Sequence, residues 1–170
     1  MADGRTVTLR KAAGSDAAAI LENINAVGAE EIYLLVDHVP EDLEEERRWI
    51  EGFDGVRSTL IVAEAPDGKI VGQADAHRGE FPKNRHTATL GIAVRDGWRE
   101  AGLGRILMIA VLDWMRVRGI EKACLEVFST NARAIALYRR LGFEEEGRRV
   151  GQFRVRGEPV DDVVMAMWLS

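Results

Sequence analysis

Between Leu103 and Met115 only Gly104, Arg105 and Asp113 are not apolar. A helix that is apolar around most of its girth must be buried on more than one side, so this segment belongs between a sheet and a further layer. The residues ahead of it, "RDGWREAGLG", place Gly102 and Gly104 where the helix should begin. Glycine lowers helix stability, which implies that bare backbone is needed at that point. "HTATLGIAV", just upstream, reads as a strand. A strand, a glycine-rich turn and a buried helix in succession constrain the chain to a layered α/β arrangement.

The remaining segments fit around that unit. "TVTLRKA" alternates and reads as a first strand; "SDAAAILENINAVGAEE" reads as a helix with Ser15 or Asp16 as N-cap. "PEDLEEERRWIEGF" is a second, highly charged helix expected to start at Pro40 or Glu41. "STLIVAEA" and "KIVGQADAHR" flank Pro66-Asp67-Gly68 and read as a hairpin. After the buried helix come a strand, "KACLEVF", a helix, "NARAIALYRRLGF", stopped by Gly142, and a closing hairpin. That hairpin joins "GRRVGQFRV" to "PVDDVVMAMWL" with Gly157-Glu158-Pro159 near its turn. The order β-α-α-β-β-β-α-β-α-β-β predicts an α/β (α+β) fold in one domain over residues 1–170, its core about 7–169. One mixed central sheet of about seven strands is flanked by about four helices. Trp49 and Trp114 are expected in the core, whereas Glu44–Glu46 and Glu144–Glu146 are expected on solvated faces.

Composition narrows the function. A net charge of −5 argues against nucleic acid as a partner, because phosphate contacts need a basic surface. One cysteine, Cys124, excludes an internal disulfide and a multi-cysteine metal site. His38, His77 and His86 lack the spacing of metal ligands, so no metal is expected. The N-terminus lacks a signal-type apolar core, and no apolar run approaches the about 20 residues of a membrane span. A cytoplasmic protein without a membrane partner is the expectation.

A glycine turn opening a helix presents unpaired amides and the positive end of the helix dipole, a natural anion site. Arg95, Arg99 and Arg105 add charge around it. The nucleoside-triphosphate pattern G-x-x-x-x-G-K-[ST] is absent, and the dinucleotide pattern G-x-G-x-x-G fails at Leu107. "REAGLG", residues Arg99 to Gly104, instead resembles the R/Q-x-x-G-x-G/A signature of the GNAT acyl-CoA-dependent N-acetyltransferases. "LEVFSTNARAIALYRRLGF" is similar to the strand–Asn–helix–Tyr–Gly-Phe segment of that family, closest to its ribosomal-protein alanine and amino-acid-type members.

The resemblance implies acetyl-CoA as co-substrate. Its diphosphate would meet the main chain of Arg99, Glu100, Ala101, Gly102, Leu103, Gly104 and Arg105. Its pantetheine would pair like an added strand with Ile92 and Val94, Ala93 lying between them. Asn131 would hydrogen-bond the coenzyme, and Tyr138 would protonate the departing thiolate. Seven residues separate Asn131 from Tyr138, about two helical turns or roughly 10 Å along one face. Acyl transfer needs a neutral amine, and strand alternation puts Glu126 on one face with Cys124 and Phe128. A carboxylate among apolar neighbours is expected to hold its proton more tightly, as a base requires. The resemblance also implies the base role for Glu126, while the family's other base position falls at Ala88. His77 and His86 are reserves, and Cys124 has no partner by motif to make it a nucleophile.

The expected reaction is direct transfer from acetyl-CoA to a primary amine in a ternary complex. The resemblance also implies that the apolar connection "EEIYLLVDHV" rims the acceptor site, with Tyr33 and Leu35 as candidates to touch the acceptor. The acceptor is left open between a small amino-acid-like molecule and a protein N-terminus, as is a homodimer through the last strands. The rival reading is a non-catalytic acyl-CoA sensor.

Overall fold

The computed structural model describes residues 1–169. Its seven strands form one sheet in the order β1-β2-β3-β4-β5-β7-β6: β1 Thr8–Lys11, β2 Ser58–Glu64, β3 Ile70–Arg78, β4 Thr87–Val94, β5 Lys122–Phe128, β6 Glu144–Val155 and β7 Glu158–Trp168. The helices are α1 Ala17–Gly28, α2 Leu43–Glu51, α3 Leu103–Val117 and α4 Ala132–Leu141. The element order and the seven-strand, four-helix architecture are those expected from the sequence.

Every neighbouring pair in the sheet is antiparallel except β4 and β5. The parallel pair is joined by the α3 crossover, as parallel strands require. Leu103, Leu107, Met108, Val111, Leu112 and Met115 of α3 are all buried, in one cluster with β2–β5 and β7 residues. A smaller cluster gathers Ala17, Ile20, Ile50, Leu60, Val62 and Ile70 where α1 and α2 meet β2 and β3. Burying a large aliphatic side chain contributes about 1.5–3 kcal/mol, so these two clusters supply much of the driving force for folding.

Local chemistry moves several boundaries. Helix α2 starts at Leu43, not at Pro40 or Glu41, because the Asp42 carboxylate accepts from the amides of Glu44 and Glu45 at 3.1 and 3.0 Å. Asp16 occupies the N-cap position of α1, as expected, but its side chain makes no capping bond. A 3-10 turn, Gly14–Asp16, leads in, and the Asp16 carboxylate binds Arg10 and the Ala13 amide. Trp49 is not in the core: it is 44% exposed and packs edge-on to Phe53. Trp114 is half-buried and donates to the Gly55 carbonyl at 3.1 Å. In the last hairpin Val155 pairs with Glu158, so the turn is Arg156-Gly157 and Glu158 and Pro159 already belong to β7. Glu144–Glu146 open β6 as an exposed run. Among the described residues no helix is long and apolar enough to cross a membrane.

Candidate active site

The parallel pair is incomplete. Thr87, Ala88 and Thr89 match Lys122, Ala123 and Cys124, and no pairing follows beyond them. Hydrogen-bond direction alternates along a strand. The His86 carbonyl accepts from Glu121 and Lys122, whereas the Arg95 amide donates to Val71 on the β3 side. Even-numbered β4 residues therefore turn their amides and carbonyls toward β5, and those of Ile92 and Val94 face the opening. On β5 the Glu121 carbonyl accepts from Leu169, so the main chain of Glu126 and Phe128 faces the opening from the other side.

A cavity of ≈ 730 Å³ fills this wedge, a size typical of small-molecule sites. Ile92, Ala93 and Val94 line it from β4, Glu126 and Phe128 from β5, and Asn131, Arg133, Leu137, Tyr138 and Arg140 from the α4 region. Arg99, Glu100, Gly102, Gly104 and Arg105 line its α3 end, while Tyr33 and Leu35 reach it from the segment after α1.

The two glycines of the α3 turn serve different purposes. Gly102 has φ +91, a conformation that side-chain-bearing residues rarely adopt. At Gly104 an added Cβ would stand 3.3 Å from Leu137, so its bareness lets α3 lie close to α4. No side chain caps α3, and its first intrahelical bond of this kind runs from Ile106 to the Gly102 carbonyl at 3.1 Å. The amides ahead of Ile106 are thus left for a ligand. Together with the open β4 edge, they fit a long ligand that has a diphosphate at one end and amides along its length.

Tyr138 is 6% exposed and lines the cavity; burial pushes its phenol up to about 12, which keeps it protonated as a proton donor must be. Asn131 is the N-cap of α4, its Oδ1 accepting from the Ala134 amide at 3.1 Å. Tyr33 lies under the Arg99 guanidinium, 4.5 Å from ring centroid to Cζ, and Leu35 is 70% exposed at the rim.

Other expected residues sit differently. Arg99 does not point freely at the α3 turn. Its guanidinium is bound to the Glu30 carboxylate, and its Nε donates to the Val94 carbonyl at 2.8 Å. Arg95 binds the carbonyl and carboxylate of Glu22 and is not among the lining residues. Ala101 and Leu103 are buried, so any contact they make with a ligand falls to main chain. Glu126 is not among apolar neighbours: it is 46% exposed and accepts from Arg149 at 2.9 Å. Strand alternation gave its face correctly, but not the arginine that β6 brings across. Cys124 is half-buried and burial pushes its thiol up, the opposite of what a nucleophile needs. His77 pairs with Asp75 at 3.4 Å, which raises its pKa, and His86 stacks on Trp168; neither lines the cavity.

Arg133, Leu137, Arg140 and Phe153 also line the cavity and were not singled out from the sequence. The first three carried a signal: offsets of four and seven residues put them on one face of α4, beside Tyr138. Phe153 carried none, because it reaches the cavity through the pairing of β6 with β7 and stacks obliquely on Phe128 at 5.1 Å.

The open parallel pair, the α3 start without a side-chain cap and the buried phenol on α4 thus surround one elongated cavity. Residues 27–143 match the acetyltransferase (GNAT) family, and the chain belongs to that family. It is 31% identical over 86% of its length to the L-methionine sulfoximine/L-methionine sulfone acetyltransferase of Pseudomonas paraeruginosa, covering 87% of that protein. The L-amino acid N-acetyltransferase of Escherichia coli is 36% identical over 59% of this chain and 62% of that one. The [ribosomal protein bS18]-alanine N-acetyltransferase of Salmonella typhimurium is 39% identical over 46% of this chain and 53% of its own length. For these last two the match spans less than two thirds of the relative. Among solved structures, the Salmonella typhimurium protein yncA with its cofactor acetyl-CoA superposes with a TM-score of 0.86 at 25% identity, covering 97% of this chain and 95% of that one.

Proposed function

We propose that this protein transfers an acetyl group from acetyl-CoA to a primary amine by direct attack in a ternary complex. The observation that carries the reading is the cavity itself. It runs from the uncapped amides of α3, along the open edge of β4, to the buried Tyr138. When bound, acetyl-CoA supplies the thioester that the amine attacks. The amides of the α3 first turn and Arg105 hold its diphosphate, and the main chain of Ile92 and Val94 pairs with its amide-bearing arm. The Val94 carbonyl already accepts from Arg99 Nε, and its second lone pair serves that arm. Glu126, at the opposite wall, takes the proton of the incoming ammonium, directly or through a water. Main-chain amides facing the opening stabilise the developing oxyanion. Tyr138 donates its proton to the departing thiolate, and a phenol held at about 12 is protonated at every working pH.

The acceptor favoured is a small amino-acid-like molecule rather than a protein N-terminus. The relative matched over most of both chains acts on L-methionine sulfoximine and L-methionine sulfone. Arg156 in the β6–β7 turn donates to the Glu30 carbonyl at 3.0 Å and pairs with Glu31 at 3.4 Å. That exposed tie joins the turn after Phe153 to the segment before Tyr33, two residues that line the cavity.

Thiol release from acetyl-CoA, measured with a panel of free L-amino acids, amino-acid analogues and short peptides, tests the reading. Turnover with a free amino acid is expected to exceed that with any peptide. Binding of acetyl-CoA without thiol release for any amine would favour the sensor reading instead. In Glu126→Gln the acid limb of kcat/KM should disappear; its persistence would clear the glutamate of the base role.

A further inference from the structure

The carboxylate assigned as base does not stand alone. Arg149 donates from Nη2 to Glu126 Oε1 at 2.9 Å and from Nη1 to Asp162 Oδ2 at 2.6 Å, so one guanidinium joins carboxylates from two strands. Register creates this cluster. Asp162 pairs with Phe128 on one side and Arg149 on the other, and Glu126 lies two residues before Phe128, which puts all three charged groups on one face of the sheet.

Their surroundings differ sharply. Glu126 opens on the cavity, whereas Asp162 is 0% exposed and its Oδ1 has no hydrogen-bond partner. Burial first, and then the charge of Glu126, push the Asp162 carboxyl up, while Arg149 pulls it down. The charged groups facing it are Glu126 from β5 and Arg149 from β6. The next residues along β7 and β6, Asp161 and Arg148, pair with each other at 3.3 Å on the opposite face. A buried carboxylate with an unused oxygen destabilises a fold, and such a group in a native core calls for an explanation.

We propose that Asp162 is a positioning residue for Glu126: it anchors Arg149, and the shared guanidinium holds the Glu126 carboxylate at the cavity wall. This rests on the reading of Glu126 as the base. An arginine paired with Glu126 alone would favour the ionised carboxylate and make it a poor proton acceptor. A second carboxylate on the same arginine offsets that effect while keeping the orientation.

The test is the acid limb of kcat/KM for the amine, at saturating acetyl-CoA, in the full chain. In Asp162→Asn the guanidinium is left to Glu126, so the limb should move to lower pH by roughly one unit and kcat should fall about tenfold, with the KM for acetyl-CoA unchanged. In Arg149→Gln the limb should move to higher pH. Opposite displacements are not produced by loss of packing. A rate that falls equally at all pH in Asp162→Asn, or does not change, would overturn the positioning role. If Arg149→Gln does not fold, the limb in Asp162→Asn decides alone, with acetyl-CoA affinity by calorimetry as the check that the variant is folded. Failure of the underlying reading looks different: there Glu126→Gln itself keeps the limb.

Discussion

Helices α3 and α4 both begin at the cavity, and they treat their first turns in opposite ways. Helix α4 is capped by Asn131, whose side chain accepts from Ala134. Helix α3 follows Gly102, an N-cap in a left-handed conformation that offers no side-chain cap. A glycine N-cap costs a few tenths of a kcal/mol relative to a side-chain cap, and Gly104 inside the first turn costs about 0.5–1 kcal/mol relative to alanine. The fold recovers that loss in the packing of Leu103, Leu107, Met108 and Val111, all 0% exposed. An unsatisfied helix end is thus tolerated where the rest of the helix is deeply buried.

The contrast yields experiments that would break or sharpen it. The largest effect is expected from Gly104→Val. Its Cβ would meet Leu137 at 3.3 Å and its methyls would crowd the first-turn amides. Acetyl-CoA affinity should fall by about 100-fold in calorimetry, with a stability loss of about 1–3 kcal/mol. Retained affinity would show that the α3 turn is not the anion site. Tyr138→Phe should lower kcat by about 100-fold while changing acetyl-CoA affinity by less than about twofold. Unchanged turnover would remove the phenol from the mechanism.

Smaller effects follow. Asn131→Asp keeps the capping oxygen and removes the amide donor, so it separates the two jobs of this residue. Thermal stability should be preserved while acetyl-CoA affinity drops about tenfold. A fall in stability with unchanged affinity would make the residue a cap and nothing more. The folded phenol of Tyr138 titrates near about 12 and the unfolded one near 10.0. The unfolded chain therefore loses this proton first, and stability is full below pH 10 and declines toward pH 12. The difference in unfolding free energy between the parent and Tyr138→Phe should shrink over that window by roughly 2–3 kcal/mol. A constant difference would mean that the phenol is solvated in the folded protein.

Much of the fold was legible because its signals are local. Alternation marked the strands, Pro66-Asp67-Gly68 marked a turn, and Asn131 and Gly142 bracketed α4 as expected. The candidate site was legible where it follows a continuous segment: Ile92 to Val94, the α3 turn and Asn131 to Tyr138 all lie at the cavity or beneath its floor. Trp49 was misplaced because an apolar helix position says nothing about whether a neighbour covers it. The ion pairs of Arg95 and Arg99 were not legible, because charge near a glycine loop is visible in sequence, whereas the glutamates that pair with it, Glu22 and Glu30, are more than sixty residues away along the chain.

By itself the sequence determined the order of elements, the bare backbone at the head of α3 and the seven-residue offset that aligns Asn131 with Tyr138. Those properties depend on residues within a few turns of one another, where φ/ψ preference and hydrophobic period act directly. Only the tertiary structure decided that β4 and β5 separate after Thr89 and Cys124, and that Arg149 and Asp162 meet Glu126. Strand separation and cross-strand charge pairing are set by register between distant segments, and the packing of the whole sheet selects that register.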